Sequence, residues 1–195
     1  MASRLPYQPL PLEVPAGHLL LRQDERATTI WEVLSGAFVH RVRDADGRSL
    51  ALDLAGPGRP TGSVPGLAAG WEVQAVCPGS VRRWAGPVER AMAGWTERSA
   101  AFACRALWLD VPARLEHLLE DLAERFGVPA PAGTRIALPL THELMAELVG
   151  ASRESVSRAI SQLRSSGHIR SAGRGRIVVC APLQLVPAPD RVSSR

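Results

Sequence analysis

Short apolar runs alternate with turn-forming residues from Val14 to about Trp84. The runs cover residues 18–21, 29–34, 37–42 and 49–54, and turn signals at Gly36, at 44–47 and at 56–58 separate them. Runs of this length and spacing are typical of strands in an antiparallel sandwich or barrel. The pattern therefore predicts that the first part of the chain is all-β.

A helical pattern replaces the short runs after Trp84. Positions at steps of four and three residues form one apolar seam with a single polar member: Val88, Met92, Trp95, Ser99, Phe102, Ala106 and Leu109. This spacing lines the face of a helix that pairs with another helix. Two interpretations stay open, pairing with a second copy of the chain and packing on the preceding β segment, and we expect the pairing.

A second helix should begin directly after this seam. Asp110 precedes Val111 and Pro112, so an N-cap side chain stands before a proline in the first helical turn. The helix is predicted from Ala113 to Arg125, with a leucine stripe for the core and an acidic face for solvent. The glycines and prolines of the following segment, 127–133, predict a loop.

Two short helices joined by a tight turn are predicted between Leu140 and Leu163. Thr141 is placed to cap the first helix, Gly150 to end it with a positive φ, and Ser152 to cap the second. Apolar residues recur on one side of each helix: Leu144, Met145, Leu148 and Val149, then Val156, Ala159, Ile160 and Leu163. This is the layout of a helix-turn-helix.

Polar residues occupy the opposite face of the second helix, near its N-terminus: Arg153, Glu154, Ser157 and Arg158. A recognition helix meets base edges with such a face. An arginine fork pairs with guanine and a glutamate accepts from cytosine, so we expect these residues to read a half-site that contains G·C pairs. The hydroxyls of Thr141 and Ser152 suit phosphate oxygens. The alternative is a solvated face whose charges pair within the helix.

A glycine-turned hairpin is predicted after Gly167, with Arg174 and Arg176 near its tip. A hairpin in this place is a wing beside the recognition helix. Its cations would add sequence-independent attraction to DNA phosphates. A plain surface turn is the alternative.

The charge distribution agrees with a polyanionic partner. All 23 basic residues are arginine against 19 acidic residues, which gives a net charge of +4. Residues 133–180 hold seven of the arginines and three glutamates, so this segment alone carries an excess of +4. A basic module of this kind indicates nucleic acid.

Composition excludes several other classes. A chain with 46% hydrophobic and 22% charged residues should fold. Its apolar runs are too short to span a membrane, and Met1–Leu10 lacks the core of a signal peptide, so we expect a cytoplasmic protein without membrane contact. The three cysteines, Cys77, Cys104 and Cys180, are too few and too scattered for a disulfide framework or a metal site.

Three blocks of the chain resemble the cyclic-AMP receptor protein and fumarate-nitrate regulator (CRP/FNR) family of bacterial transcription factors. The first is the glycine framework from Pro15–Gly17 to Gly56–Gly58, similar to that of a cyclic-nucleotide-binding β-roll. The second is Trp108–Val111, which resembles the hinge before the DNA-binding domain. The third is Val149–Arg158, which is close to the recognition-helix signature.

This resemblance implies an α+β fold in four parts. They are a β-roll (jelly roll) sensor domain at 1–84, a dimerisation helix at 85–109, a winged helix-turn-helix at 110–182 and a flexible tail at 183–195. It also implies a homodimeric activator that works with RNA polymerase, with Arg153, Glu154 and Arg158 as readers of a TGTGA-like inverted repeat in double-stranded DNA.

Departures from the family pattern concern the effector. Nucleotide-binding members carry a glutamate for the ribose and an Arg-Ser pair for the cyclic phosphate. Here Ser63 takes the first place, residues 64–80 contain no arginine, and Trp71 and Glu72 stand near the second place. We therefore predict that cyclic AMP is neither bound nor needed, and we expect no cofactor.

Two alternatives remain beside an effector-independent regulator. In the first, the β-roll senses an unknown apolar or redox signal. In the second, the β-roll is a metal-dependent enzyme, which would need a cluster of ligands. The β segment offers only His18 and His40, far apart in sequence, so we predict that the protein is not an enzyme.

Overall fold

A computed structural model describes residues 10–171, 173 and 175–180. The predicted tail at 183–195 lies outside the described residues. Contacts divide the chain into two compact units, Met1–Ala103 and Cys104–Arg195, and the division falls inside a long helix.

Eight strands precede the long helix in the described part of the N-terminal unit. They are β1 (Leu12–Val14), β2 (Leu19–Leu21), β3 (Ile30–Ser35), β4 (Phe38–Arg43), β5 (Ser49–Ala55), β6 (Pro60–Gly62), β7 (Glu72–Ala75) and β8 (Gly79–Arg83). They pair antiparallel in two four-stranded sheets, ordered β1-β8-β3-β6 and β2-β7-β4-β5. The predicted β-roll is thereby confirmed.

The two sheets enclose an apolar core that includes Val33, Phe38, Val73 and Val81. Two turns carry the chain from one sheet to the other, and they touch through glycines. A Cβ on Gly36 would lie 2.7 Å from the Cα of Gly79. Only glycine allows backbones to approach so closely, and this contact fixes the corner where the sheets meet.

The long helix α1 (Val88–Trp108) follows the β-roll. In its first half, Ala91 and Trp95 are buried in a cluster with Ile30, and Val88 packs against that cluster. The exposed large apolar side chains of α1 are Met92, Leu107 and Trp108.

The described part of the C-terminal unit contains four strands and three helices after the end of α1. They are α2 (Val111–Phe126), β9 (Gly127–Ala130), β10 (Gly133–Ile136), α3 (His142–Val149), α4 (Arg153–Ser165), β11 (Ile169–Ser171) and β12 (Ile177–Val179). The strands form one antiparallel sheet ordered β11-β12-β10-β9. Leu115, Leu119 and Leu122 are buried on α2, which contacts both α3 and α4.

The loop predicted at 127–133 is wrong in part, because it contains β9 and the first residue of β10. β9 lies at the edge of the sheet and pairs with β10 alone. Pro129 has no N–H to donate, and an edge strand tolerates this. None of the described helices is both long enough and apolar enough to cross a membrane.

Candidate nucleic-acid interface

The caps of α3 and α4 lie where the sequence predicts them. Thr141 Oγ1 accepts from the backbone N–H of Leu144 at 3.0 Å, and Ser152 Oγ accepts from that of Ser155 at 3.1 Å. Gly150 adopts the left-handed conformation, with φ 62° and ψ 52°, and ends α3. These side chains and the glycine set the two helices of a helix-turn-helix in place.

α4 carries a buried apolar stripe and, near its N-terminal end, a group of exposed charged residues. Val156, Ala159, Ile160 and Leu163 are buried. Arg153, Glu154 and Arg158 are all exposed in its first two turns. The structure therefore brings together the three charged residues that the sequence selects as base readers.

Two of the exposed charged side chains, Glu154 and Arg158, make hydrogen bonds within α4 and its cap. The backbone N–H of Glu154 and the Ser152 side chain hydrogen-bond the Glu154 carboxylate, and with the nearby Arg153 and Arg158 they hold the pKa of Glu154 below its ordinary value. One Nη of Arg158 donates a long hydrogen bond of 3.3 Å to Ser155 Oγ. At neutral pH this end of α4 presents a carboxylate acceptor between cationic donors.

Ser157 is placed differently from the other predicted readers. Its side chain is half-buried, and its Oγ lies 2.8 Å from Nδ1 of His142 at the start of α3. This hydroxyl therefore links the two helices. The sequence pattern gives no signal for this contact, because the partners are 15 residues apart on different helices.

The predicted hairpin after Gly167 is present as the antiparallel pair β11 and β12. Arg176 is exposed just before β12. Arg174 lies outside the described residues. A wing therefore stands beside the helix-turn-helix in the same unit, with one described cation near its tip.

The interior of the β-roll holds an aromatic cluster. The ring of His40 stacks on Trp71 with centroids 5.8 Å apart, and Trp95 meets Trp71 edge-on at 5.5 Å. Nε2 of His40 lies 2.8 Å from Thr61 Oγ1, so the buried imidazole has a polar partner. Burial lowers the pKa of His40 to about 4, and His40 is neutral at pH 7.

Helix α1 is anchored to this cluster by polar contacts. The indole N–H of Trp95 donates to the carbonyl of Pro60 at 3.3 Å. Arg98 pairs with Asp53 on β5 at 2.5 Å. A cavity of about 10 Å³ remains beside these groups, which is close to the space that one water molecule needs. Its lining residues are His40, Leu52, Asp53, Trp71, Trp95 and Ser99.

Glu72 does not face this interior, although it stands in the sequence near the place of the family's phosphate-binding pair. Val73 pairs with the interior residue His40, whereas Glu72 pairs with Arg41 on the opposite face of the sheet. Its carboxylate lies 3.1 Å from both Arg41 and Arg43. Burial opposes ionisation, but hydrogen bonds and charge from the two arginines outweigh it and hold the pKa of Glu72 below its ordinary value. The sequence missed these cations because they come from a neighbouring strand.

The predicted dimer seam is divided by the structure. Trp95 is 6% exposed and Val88 packs beside it on the β-roll. These two residues therefore agree with the alternative interpretation, in which the helix packs on the preceding β segment. Ser99 lines the interior cavity. Met92 is exposed, and Phe102, Ala106 and Leu109 are half-buried. The seam therefore retains Met92 and its C-terminal members as surface that a second helix could cover.

Acid should destabilise the N-terminal unit through His40. The unfolded chain binds a proton at an ordinary histidine pKa of 6.5, whereas folded His40 binds one only at about 4. The unfolded state therefore holds more protons between these values, so stability falls as the pH drops through this window. The full difference corresponds to roughly 3 kcal/mol. Urea unfolding at several pH values measures it.

His40→Gln is the informative variant for this prediction, because a neutral amide can still hydrogen-bond Thr61. Carboxylates titrate in the same range in both proteins, so the difference between the two pH profiles isolates the histidine. His18→Asn removes an exposed histidine of the same unit and should keep the wild-type profile. Identical profiles for wild type and His40→Gln would contradict the assignment.

A capped helix-turn-helix with exposed arginines on its second helix, followed by a wing, defines a DNA-binding transcription regulator. Residues 113–186 match the model of the Crp-like helix-turn-helix domain. The chain belongs to the CRP/FNR family of transcription regulators, as its relatives show.

Two relatives and one solved structure illustrate the membership. The chain is 29% identical to the CRP-like cAMP-activated global transcriptional regulator of Mycobacterium tuberculosis, covering 90% of this chain and 87% of the relative. It is 30% identical to the regulatory protein CysR of Synechococcus elongatus, covering 86% and 84%. The structure of FixK2 from Bradyrhizobium japonicum has the same fold, with a TM-score of 0.79, 22% identity and coverage of 95% and 98%.

The described residues contain no group of three or more His, Cys, Asp or Glu side chains placed to hold a metal ion. The two relatives named above are a global transcriptional regulator and a regulatory protein.

Proposed function

We propose that the protein is a homodimeric, cytoplasmic transcription activator. It reads a TGTGA-like inverted repeat in double-stranded DNA and needs no effector to do so. The observation that carries the proposal is the exposed trio Arg153, Glu154 and Arg158 at the capped N-terminus of α4. Two guanidinium forks and one ionised carboxylate match the guanine acceptors and cytosine donor of G·C pairs.

Phosphate contacts complete the proposed interface. Thr141 and Ser152 cap the two helices, and both are exposed, so a phosphate can reach the N-terminal ends of both helices. The Ser152 hydroxyl would exchange its hydrogen bond to Ser155 Oγ for one to the phosphate. Arg176 on the wing, and Arg174 by its sequence position, would add cations for the flanking backbone. These contacts fix the register of α4 and leave discrimination to the charged trio.

The second half of α1 supports a dimer. The seam residue Met92 is 47% exposed, and Leu107 and Trp108, which lie beside the C-terminal end of the seam and are not members of it, are 79% and 72% exposed. Large apolar side chains on one exposed helix are unfavourable in water and mark a surface that a partner covers. A second copy of the same helix is the partner that the seam pattern predicts.

Dimerisation should be visible by sedimentation at micromolar concentration. A two-fold dimer places its recognition helices roughly 34 Å apart, about one DNA turn, and therefore requires an inverted repeat. Binding to a full repeat should be much tighter than binding to one half-site. A monomer that binds a single half-site tightly would contradict this part of the proposal.

Effector independence rests on the contents of the β-roll. Ligand pockets enclose roughly 300–1,000 Å³, whereas the cavity beside His40 measures about 10 Å³. Trp71 closes the region after β6 by donating its indole N–H to the carbonyl of Gly62 at 2.9 Å. Arg98, a cation close to His40, is already paired with Asp53. The relative from Mycobacterium tuberculosis is a cAMP-activated regulator, so cyclic AMP is the effector to test directly on this protein.

Cyclic AMP should not bind. Titration calorimetry with millimolar nucleotide should give no binding heat, because the cavity beside the tryptophans has a volume of about 10 Å³ and Arg98 already pairs with Asp53. The affinity for the best DNA site should be the same with and without the nucleotide. A tenfold gain in DNA affinity on adding cyclic AMP would show that Trp71 and Trp95 move aside for it.

The redox alternative gains no support from the cysteine of the β-roll. Burial raises the pKa of the Cys77 thiol, although a hydrogen bond from the Ala37 backbone partly offsets this. A raised pKa keeps the group as the less reactive thiol.

An unbiased selection of duplexes bound by the purified protein tests the function as a whole. The expected product is an inverted repeat with G·C pairs in each half-site. Transcription from a promoter carrying that repeat, with purified RNA polymerase, then distinguishes activation from repression. Selection of no common sequence would overturn the proposed DNA reading.

A further inference from the structure

The side chain of Arg114 reaches the turn of the helix-turn-helix from α2. One Nη donates to the carbonyl of Val149 at 2.8 Å and to the carbonyl of Gly150 at 3.2 Å. Arg114 lies in the first turn of α2, and the two carbonyls are 35 and 36 residues further along the chain.

These carbonyls need a partner. The last four carbonyls of an α-helix receive no hydrogen bond from an N–H of the same helix. α3 ends at Val149, so the carbonyl of Val149 is one of these. The backbone N–H of Gly150 bonds carbonyls of the preceding turn, at Ala146 and Glu147, which leaves the outer carbonyls to Arg114. A cation at a helix C-terminus also complements the helix dipole.

The same guanidinium is tied to the start of its own helix. Nε of Arg114 makes a long hydrogen bond of 3.4 Å to the carbonyl of Asp110. Asp110 caps α2 through a hydrogen bond of 3.0 Å from the Ala113 backbone N–H. One planar group therefore joins the N-cap of α2 to the turn that precedes α4.

We propose that Arg114 is a positioning residue for base reading. It holds the peptide groups of Val149 and Gly150, and α4 begins with its cap Ser152 two residues later. The direction of α4, and with it the placement of Arg153 and Arg158, depends on this turn. The inference rests on the proposed DNA reading and deepens it.

Loss of Arg114 should affect specific binding more than non-specific binding. Base contacts require hydrogen-bond geometry that a small rotation of α4 disturbs, whereas phosphate contacts tolerate such a shift. Arg114 itself contacts protein carbonyls. Its removal should therefore leave the salt dependence of binding unchanged, unlike the removal of a phosphate contact.

Arg114→Met keeps the aliphatic stem and removes the donors. Its dissociation constants are measured by titration on the selected inverted repeat and on a random duplex, at several salt concentrations. We expect about tenfold weaker binding to the repeat, as for residues that act through others, with non-specific binding and the salt slope as in wild type. Arg114→Lys keeps a donor cation and should recover part of the loss.

Arg125→Met is the matched control. Arg125 lies on the same helix but pairs with Asp121, four residues before it. Its removal changes the net charge equally and should leave discrimination intact. Amide hydrogen exchange at Gly150 and Ala151 gives a second readout, because the turn should open faster in Arg114→Met even if the fold is weakened.

Three results would overturn the inference: unchanged discrimination in Arg114→Met, equal loss on both duplexes with unchanged exchange at the turn, or a salt slope lowered by about one unit, which indicates a phosphate contact. Failure of the wild-type protein to prefer any sequence would instead overturn the proposed function.

Discussion

Replacing Trp95 with alanine should lower the free energy of unfolding of the N-terminal unit by about 3–5 kcal/mol. The side chain is 6% exposed, it meets Trp71 edge-on, and its indole donates to Pro60. Alanine would leave a cavity between α1 and the β-roll and an unpaired carbonyl. Urea unfolding followed by tryptophan fluorescence and circular dichroism measures the loss.

Met92→Ala is the control on the same helix. Met92 is 47% exposed, so its truncation should cost little stability in the isolated subunit and should weaken self-association instead. The two variants together separate the two faces of α1. A Trp95→Ala protein of wild-type stability that no longer dimerises would show that Trp95 faces the partner subunit.

Arg158→Ala should weaken binding to the best DNA site by about 1–3 kcal/mol while leaving non-specific affinity nearly unchanged. Arg158 is exposed on α4 among the proposed base readers, and its one described hydrogen bond, to Ser155, is long. The guanidinium is therefore available for a bidentate contact with guanine. Competition titrations with specific and random duplexes give both affinities.

Arg164→Ala is matched to this variant, because Arg164 is an exposed arginine in the last turn of the same helix. It removes the same charge away from the proposed reading end and should preserve the ratio of specific to non-specific affinity. Equal losses on both duplexes in Arg158→Ala would mean that Arg158 contacts phosphate and reads no base.

Local signals account for what the sequence predicts best. A hydroxyl cap acts over three residues, as at Thr141 and Ser152, and a helix-ending glycine acts within one turn, as at Gly150. The helix-turn-helix consists of such short-range devices. Its bounds can therefore be predicted from the order of residues alone.

Features that depend on pairing between distant segments cannot be predicted from the sequence pattern. Whether Glu72 faces the interior depends on its register with Arg41, 31 residues earlier. The heptad spacing of α1 does not tell which partner covers Trp95, since a β-roll and a second helix both bury an apolar stripe. The sequence pattern does not predict strand β9, because glycine and proline have a low strand propensity. Pairing with β10 nevertheless makes this segment a strand.

The filled interior of the β-roll has a consequence for the cell. Under the proposed effector-independent function, His40, Trp71 and Trp95 fill the interior of the β-roll, and the DNA-binding form would need no metabolite. The fraction of promoters occupied would then follow the abundance of the protein, and for a dimer it would rise steeply with that abundance. Synthesis and proteolysis would become the inputs through which its target genes are set.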